Sequence, residues 1–272
     1  MACLDLRDRF RTRDAQRGRI TSPVVAASLG AAWRDTERFY FHPTWATHRQ
    51  CYFPWREVAL TSSSLEIHRF VLGPWMTNCY VVADNIGRCW IVDAGFDPEA
   101  MISFVQNAEL APQGIALTHA HVDHIAGLES CRAAWPGLPI LIHEAERQSL
   151  VDPRENLSAA LATPVVAPAA TSILEPGGVI EMGGCPFTIH HTPGHSPGGV
   201  TLHAPDAGIA IVGDTLFAGS IGRTDFPHSD PEALMRSIQE VLIPMPDATR
   251  VLPGHGAETT IESERKNNPF LQ

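Results

Sequence analysis

Six consecutive residues, His119-Ala120-His121-Val122-Asp123-His124, carry three imidazoles and a carboxylate. Only 13 of the 272 residues are histidine, so this clustering is far from a chance placement. Imidazole nitrogen and carboxylate oxygen suit zinc and its neighbouring transition metals. His119 and His121 are two apart, so on an extended or turning loop both can face one concavity. Asp123 and His124 stand where the chain turns into a helix and can reach a second ion beside the first. Three further donors follow apolar runs: His195 in HHTPGHSPGG, Asp214 closing GIAIVGD, and His255 in VLPGHG. An aspartate at the end of a buried strand is costly to desolvate unless it is paired or metal-bound. Its two oxygens also allow it to bridge two cations. Gly254 and Gly256 let the backbone approach such a site closely. His190 and His191 lie inside a strand-like run and are read as core or surface residues.

Two adjacent cations lower the pKa of a shared water toward neutrality and stabilise the oxyanion formed when it attacks. That chemistry fits hydrolysis of a thioester, ester, amide or phosphodiester, with Asp123 as proton acceptor or orienter. No Ser or Cys nucleophile is needed, and Gly194-His195-Ser196 is too loose for a nucleophile elbow.

The elements that must position these donors alternate between strand and helix. Residues 65–72, 79–83, 89–92, 115–117, 138–143, 187–191, 200–203, 209–212 and 250–252 read as strands. Residues 98–108, 124–135 and 231–242 have helical spacing. Residues 144–176 are poorly periodic. Bunched strands with helices between them imply a layered α/β arrangement in which helices cover sheet faces. We expect a main domain over 61–272 and an N-terminal extension over 1–60, disordered in part. That extension crowds Trp33, Phe39, Tyr40, Phe41, Trp45, Tyr52, Phe53 and Trp55 together. Rings at this density are costly to leave in water, so 33–55 is expected to serve as a lid or a homodimer contact.

Composition excludes several classes. No run of eighteen apolar residues occurs, which rules out a spanning helix of ordinary length. The net charge of -10 argues against general affinity for nucleic acid. The charge is uneven: residues 1–60 carry ten Arg against six acids, and the remainder ten basic against twenty-four acidic groups. Six cysteines without a C-x-x-C pair read as free thiols in a reducing compartment, so a cytoplasmic location is expected. The Arg-rich start has no apolar signal core, and Asp5, Asp8 and Asp14 interrupt it.

Taken in order, THAHVDH, TPGHSPGG, Gly213-Asp214 and PGHG resemble the motif set of the metallo-β-lactamase superfamily over residues 65–272. The resemblance implies an αββα sandwich with two metals at one sheet edge. It also implies a ligand set: His119, His121 and His195 on the first metal, Asp123, His124 and His255 on the second, Asp214 bridging. The metals implied are two divalent ions, zinc first, with iron and manganese accepted by the same ligands. FAGSIGRTD (217–225) and ERKNNPF (264–270) are similar to the glyoxalase II-like branch, that of small hydroxyacylglutathione hydrolase-like proteins. That implies a thioesterase acting on a small molecule.

Two departures bear on glutathione as substrate. Gly256-Ala257-Glu258-Thr259 stands where full glyoxalase II enzymes usually carry a tyrosine, and the chain stops before their C-terminal helical domain would begin. GRTD also resembles persulfide dioxygenases, which hold one iron through two His and one Asp; His124 together with His255 favours two metals. A metal-dependent nuclease is a further alternative, weakened by the lack of an inserted domain or basic stripe. A non-enzymatic scaffold is disfavoured because all seven ligand positions are filled. Arg223 and Asp225 are expected to pair and fix their loop, and Arg265 and Lys266 to lie on a solvated tail rather than on a substrate carboxylate.

Overall fold

A computed structural model describes residues 65–272 of the protein. The 1–60 extension, its aromatic stretch, Cys3 and Cys51 lie outside the described residues, as does the proposed lid or dimer contact. The described part begins with three antiparallel strands: β1 (Glu66–Leu72), β2 (Thr77–Ala83) and β3 (Arg88–Val92). Helix α1 (Glu99–Asn107) leads to β4 (Ala111–Ala116), and α2 (Val122–Ile125) and α3 (Leu128–Ala134) lead to β5 (Ile140–Ile142) and β6 (Ser172–Ile173). These strands form one sheet in the order β1-β2-β3-β4-β5-β6, parallel from β3 onward.

The second sheet is built from β7 (Val179–Met182), β8 (Cys185–His191), β9 (Val200–Ala204) and β10 (Ile209–Gly213). A small hairpin, β11 (Leu216–Phe217) and β12 (Ser220–Ile221), precedes helix α4 (Pro231–Ser237), which continues as a π-turn over Ile238–Leu242. Strand β13 (Arg250–Pro253), strand β14 (Thr259–Thr260) and helix α5 (Ile261–Asn267) follow. The sheet order is β14-β13-β10-β9-β8-β7, with β10 and β13 parallel and the other pairs antiparallel.

Side-chain alternation along the strands explains the layering. In β2, Cys79, Val81 and Ala83 meet Met101 and Val105 of α1 and Leu128 and Cys131 of α3. The intervening Tyr80 and Val82 point the other way, to Phe187, Ile189 and Leu202 of the second sheet. In β10, Ile209 and Ile211 join that same inter-sheet core, whereas Ala210 and Val212 face Leu234, Ile238 and Ile261 on the far side. Three apolar clusters thus separate four layers, an αββα sandwich. Strand β10 is apolar throughout because it is covered on both faces. Truncating one of these side chains to Ala, at Phe187 for example, costs about 3–5 kcal/mol.

The structure corrects two expectations. The single helix expected over 124–135 is two, α2 and α3, broken at Ala126-Gly127. Gly127 donates its N–H to Ala94 O at 2.8 Å, and a β-carbon there would collide with Gly95 O and Pro98. The helix over 231–242 changes to π geometry after Ser237. Residues 144–176 are irregular as expected, yet Leu150, Ala167, Ala170 and Leu174 are buried, so the segment belongs to the core. Cys79, Cys89, Cys131 and Cys185 are buried free thiols, as expected. No helix among the described residues is long and apolar enough to cross a membrane.

Candidate metal centre

The loops that leave β4, β8, β10 and β13 converge at one edge of the sandwich. The first loop carries His119 and His121 and runs into α2 with Asp123 and His124. His195 follows β8, Asp214 is the first residue after β10, and His255 follows β13. All seven donors expected from the sequence meet here. Ligand atoms of His119, His121 and His195 lie within 4.8 Å of one another, and so do those of Asp123, His124 and His255. Asp214 stands between the two triads. Its Oδ1 is 3.4 Å from His124 Nε2, and its Oδ2 is 3.5 Å from His195 Nε2 and 3.4 Å from His255 Nε2. The rings of His119, His121 and His195 meet edge to face at 78–82°, which turns their nitrogens into one corner.

Hydrogen bonds fix which ring nitrogen faces that corner. A carboxylate or carbonyl can only accept, so its histidine partner must donate. His124 donates from Nδ1 to Asp93 Oδ2 (2.9 Å), His195 from Nδ1 to Arg223 O (2.9 Å), and His255 from Nδ1 to Trp75 O (3.1 Å). Thr118 gives its hydroxyl proton to Asp93 Oδ2 at 2.7 Å, so its oxygen accepts from His119 Nδ1 at 3.2 Å. In these four rings Nε2 points inward; on His119 and His195 it keeps its lone pair, and on His124 and His255 it faces Asp123 and Asp214. Nε2 of His119, His124 and His195 and Oδ1 of Asp214 are buried with no hydrogen-bond partner in the protein. Such orphaned polar atoms are costly. Metal ions held by the two triads would satisfy all of them, and the pattern of one nitrogen held and the other turned inward is that of metal-ligating histidine.

Electrostatics divide the two triads. Burial depresses His119 strongly and brings His121 to about 3, aided by the neighbouring imidazoles. Burial also lowers His195. His255 behaves oppositely: burial opposes its charged form, but hydrogen bonds to Asp123 and Asp214 outweigh that and raise it to about 10. His124 is raised for the same reason, against burial, by Asp123, Asp214 and Asp93. Burial would raise Asp123 as well, yet the charge of His124 and the bond from His255 bring it to about 2. Without metal, protons on His124 and His255 balance these carboxylates. The second triad calls for positive charge.

The surrounding backbone is shaped to this cluster. Gly254 must lack a side chain, since a β-carbon would collide with Asp214 Oδ1 and crowd His124. Gly256 differs from expectation: nothing crowds it, and glycine is required there for its positive φ of 77°. Asp93 adopts a left-handed φ of 61°, rare for a residue with a β-carbon, and holds Thr118 N at 2.7 Å as well as His124. Glu146, nearly inaccessible, ties two ligand loops together by accepting from Ala120 N and, at 2.8 Å, from Gly198 N. Burial pushes its carboxyl up despite these donors. Thr77 Oγ1 donates to Asp123 Oδ2 at 2.9 Å. Sequence reasoning missed Asp93, Thr118, Glu146 and Thr77 as supports.

Above the donors lies a cleft of about 420 Å³ walled by Trp75, Leu157, Leu161, Phe217 and Phe226, with Arg223 at its rim. The expected ion pair is present: Arg223 grips Asp225 at 2.9 and 2.8 Å. Arg265 pairs with Asp247 and Lys266 with Glu262, so neither faces the cleft. His191 bonds to Pro197 O at 3.0 Å and stacks on His143, whereas buried Nε2 of His190 lacks a partner; both stand apart from the cluster.

Comparison with known proteins adds an independent line. Residues 72–255 match the family model of the metallo-beta-lactamase superfamily. The probable metallo-hydrolase YqgX of Bacillus subtilis is 38% identical over 205 residues, which span 75% of this chain and 96% of that protein. Hydroxyacylglutathione hydrolase GloC of Haemophilus influenzae is 31% identical over 196 residues, 71% of this chain and 92% of its own. The crystal structure of TTHA1623 in a di-iron-bound form shares 36% identity, covers 75% of this chain and 100% of that one, and superposes with a TM-score of 0.68.

Proposed function

The chain belongs to the metallo-β-lactamase superfamily, and we propose that it is a binuclear metal-dependent hydrolase of thioesters. The observation that carries this reading is the pair of donor triads with Asp214 between them. His119, His121 and His195 would hold one ion, Asp123, His124 and His255 the other, and Asp214 both. The similarity to a hydroxyacylglutathione hydrolase supports a thioester. The ligand set accepts zinc, iron or manganese. We expect zinc, and the di-iron-bound relative supports iron as the alternative.

When bound, the ions supply Lewis acidity and a water whose pKa approaches neutrality. The protein's own groups do the rest. Thr77 and His255 both engage Asp123 Oδ2, which leaves Oδ1 to accept the proton of the attacking water. The Nδ1 bonds of His119, His124, His195 and His255 hold the rings in register, so no reorganisation accompanies the reaction. Trp75, Leu157, Leu161, Phe217 and Phe226 exclude bulk water from the scissile carbonyl. Among the described residues lining the cleft there is no Ser, Cys or Lys to act as a covalent nucleophile.

The filled second triad also weighs against a mono-iron persulfide dioxygenase. The test is to purify the full chain, measure its metal content, and assay S-lactoylglutathione, a phosphodiester and glutathione persulfide. Two ions per chain, with thioester hydrolysis lost on chelation and restored by metal, is the expected result. One iron with oxygen uptake on persulfide, or phosphodiester cleavage alone, would replace this reading.

A further inference from the structure

The walls of the cleft carry information about substrate that the metal ligands do not. Its lining beyond the donors is Trp75, Val122, Leu157, Leu161, Phe217, Arg223 and Phe226, six apolar side chains and one cation. That cation is already engaged: Arg223 is held at two points by Asp225, and its guanidinium lies 4.5 Å from the centre of the Phe226 ring.

Two segments that border the cleft hold bulky residues in unfavourable backbone. Leu157 has φ 66°, and Met76, beside Trp75, has φ 56°. A large side chain in the left-handed region persists only where its surroundings over-determine it, and such residues concentrate at functional sites. The surroundings are present. Asn156, fully buried, accepts at its backbone carbonyl from Val122 N (2.9 Å), accepts at Oδ1 from Ser158 N (3.1 Å), and donates from Nδ2 to Val165 O (3.0 Å). These bonds clamp the residues on either side of Leu157 and tie its loop to the start of α2, next to Asp123. In the other segment, Met76 N bonds to Gly73 O, the Trp75 carbonyl accepts from His255, and the Trp75 indole packs at 5.3 Å from Phe96. Trp75 is still 45% exposed, a large apolar surface left open to water beside the donors. Both apolar walls are therefore locked to the metal-binding loops themselves.

We infer that this cleft is an acyl-binding site for the apolar acyl group of a thioester, with Trp75 and Leu157 as its specificity-determining residues, rather than a site for a polar 2-hydroxyacyl group. The inference rests on the thioesterase reading above and deepens it. Apart from the Trp75 indole N–H and the Arg223 guanidinium, these walls offer no hydrogen-bonding side chain, so a hydroxyl placed among the six apolar side chains would give up its water partners. Each methylene buried there gains what transfer out of water provides, roughly fourfold in kcat/KM.

The experiment holds the thiol constant as glutathione and varies the acyl group on the metal-loaded full chain: lactoyl, propanoyl, butanoyl and hexanoyl. The expected result is a rise of roughly fourfold per methylene, and hexanoyl favoured over lactoyl by at least about thirtyfold. Leu157→Gly serves as the matched variant, because glycine accepts φ 66° without strain and should not impair folding. It is expected to reduce the hexanoyl-to-lactoyl ratio at least about tenfold, whatever the change in the rate common to both substrates. Lactoylglutathione turned over as fast as, or faster than, the hexanoyl thioester would overturn the acyl assignment and leave the thioesterase reading standing. An unchanged ratio in Leu157→Gly would overturn the role of that residue. Absence of turnover with all four thioesters would overturn both.

Discussion

The two triads of the candidate centre use the same residue types in opposite electrostatic settings. His119, His121 and His195 form a buried, carboxylate-poor pocket in which the imidazoles are held neutral. Asp123, His124 and His255 form a carboxylate-rich pocket, and there the two histidines carry protons until a cation replaces them. The first pocket is ready for metal as folded. The second must exchange protons for it. Asp214 touches both, and so is the residue through which one pocket senses the other.

The sharpest way to break this comparison is Asp214→Asn. Removing the shared charge is expected to weaken both sites and lower kcat/KM by at least about 10³-fold. If metal content and rate were both retained, Asp214 would not be common to the two pockets. A smaller change should separate them. Glu146 bonds to the backbone beside ligands of the first pocket, at Ala120 between His119 and His121 and at Gly198 after His195. In Glu146→Gln one acceptor becomes a donor facing an N–H, so metal affinity should fall about 10–100-fold at the first site and remain unaltered at the second. Competitive chelator titration resolves the two affinities.

The pH dependence sharpens the contrast further. His255 rises from 6.5 to about 10 in the metal-free chain. Its contribution to metal-free stability is therefore present in full below pH 6.5 and lost as the pH climbs through 10. A metal must displace that proton, so affinity at the second site rises with pH, up to about tenfold per unit for each proton displaced. His121, at about 3, is already neutral over pH 5–8, so affinity at the first site should be nearly flat there. Calorimetry in buffers of different ionisation enthalpy counts the protons released, and equal release at both sites would contradict the contrast. The smallest effect is expected at the rim. Asp225 and Arg223 are each 67% exposed, and Asp225→Asn should leave metal affinity and the thermal midpoint unchanged.

How far the sequence revealed all this follows from where each signal lies. The donors were legible because histidine is scarce and because His119 to His124 are neighbours in the chain. The layered α/β arrangement was legible because apolar runs such as Ile209–Val212 stand out between helical stretches, and the αββα sandwich followed from the resemblance carried by THAHVDH, TPGHSPGG and PGHG. Strands β11, β12 and β14 are two residues each and show none. Asp93 ends an apolar strand just as Asp214 does, and the same desolvation argument would have found it. Glu146 lies in a segment without periodicity, and its partners Ala120 and Gly198 are 26 and 52 residues away. Leu157's backbone angle leaves no trace in composition, so the acyl wall could be read only from coordinates.

Anomalous diffraction from a crystal of the metal-loaded chain tests the central claim most directly. The account expects two peaks, one enclosed by His119, His121 and His195, the other by Asp123, His124 and His255, each in contact with Asp214. A single peak, or density bound away from these side chains, would contradict it.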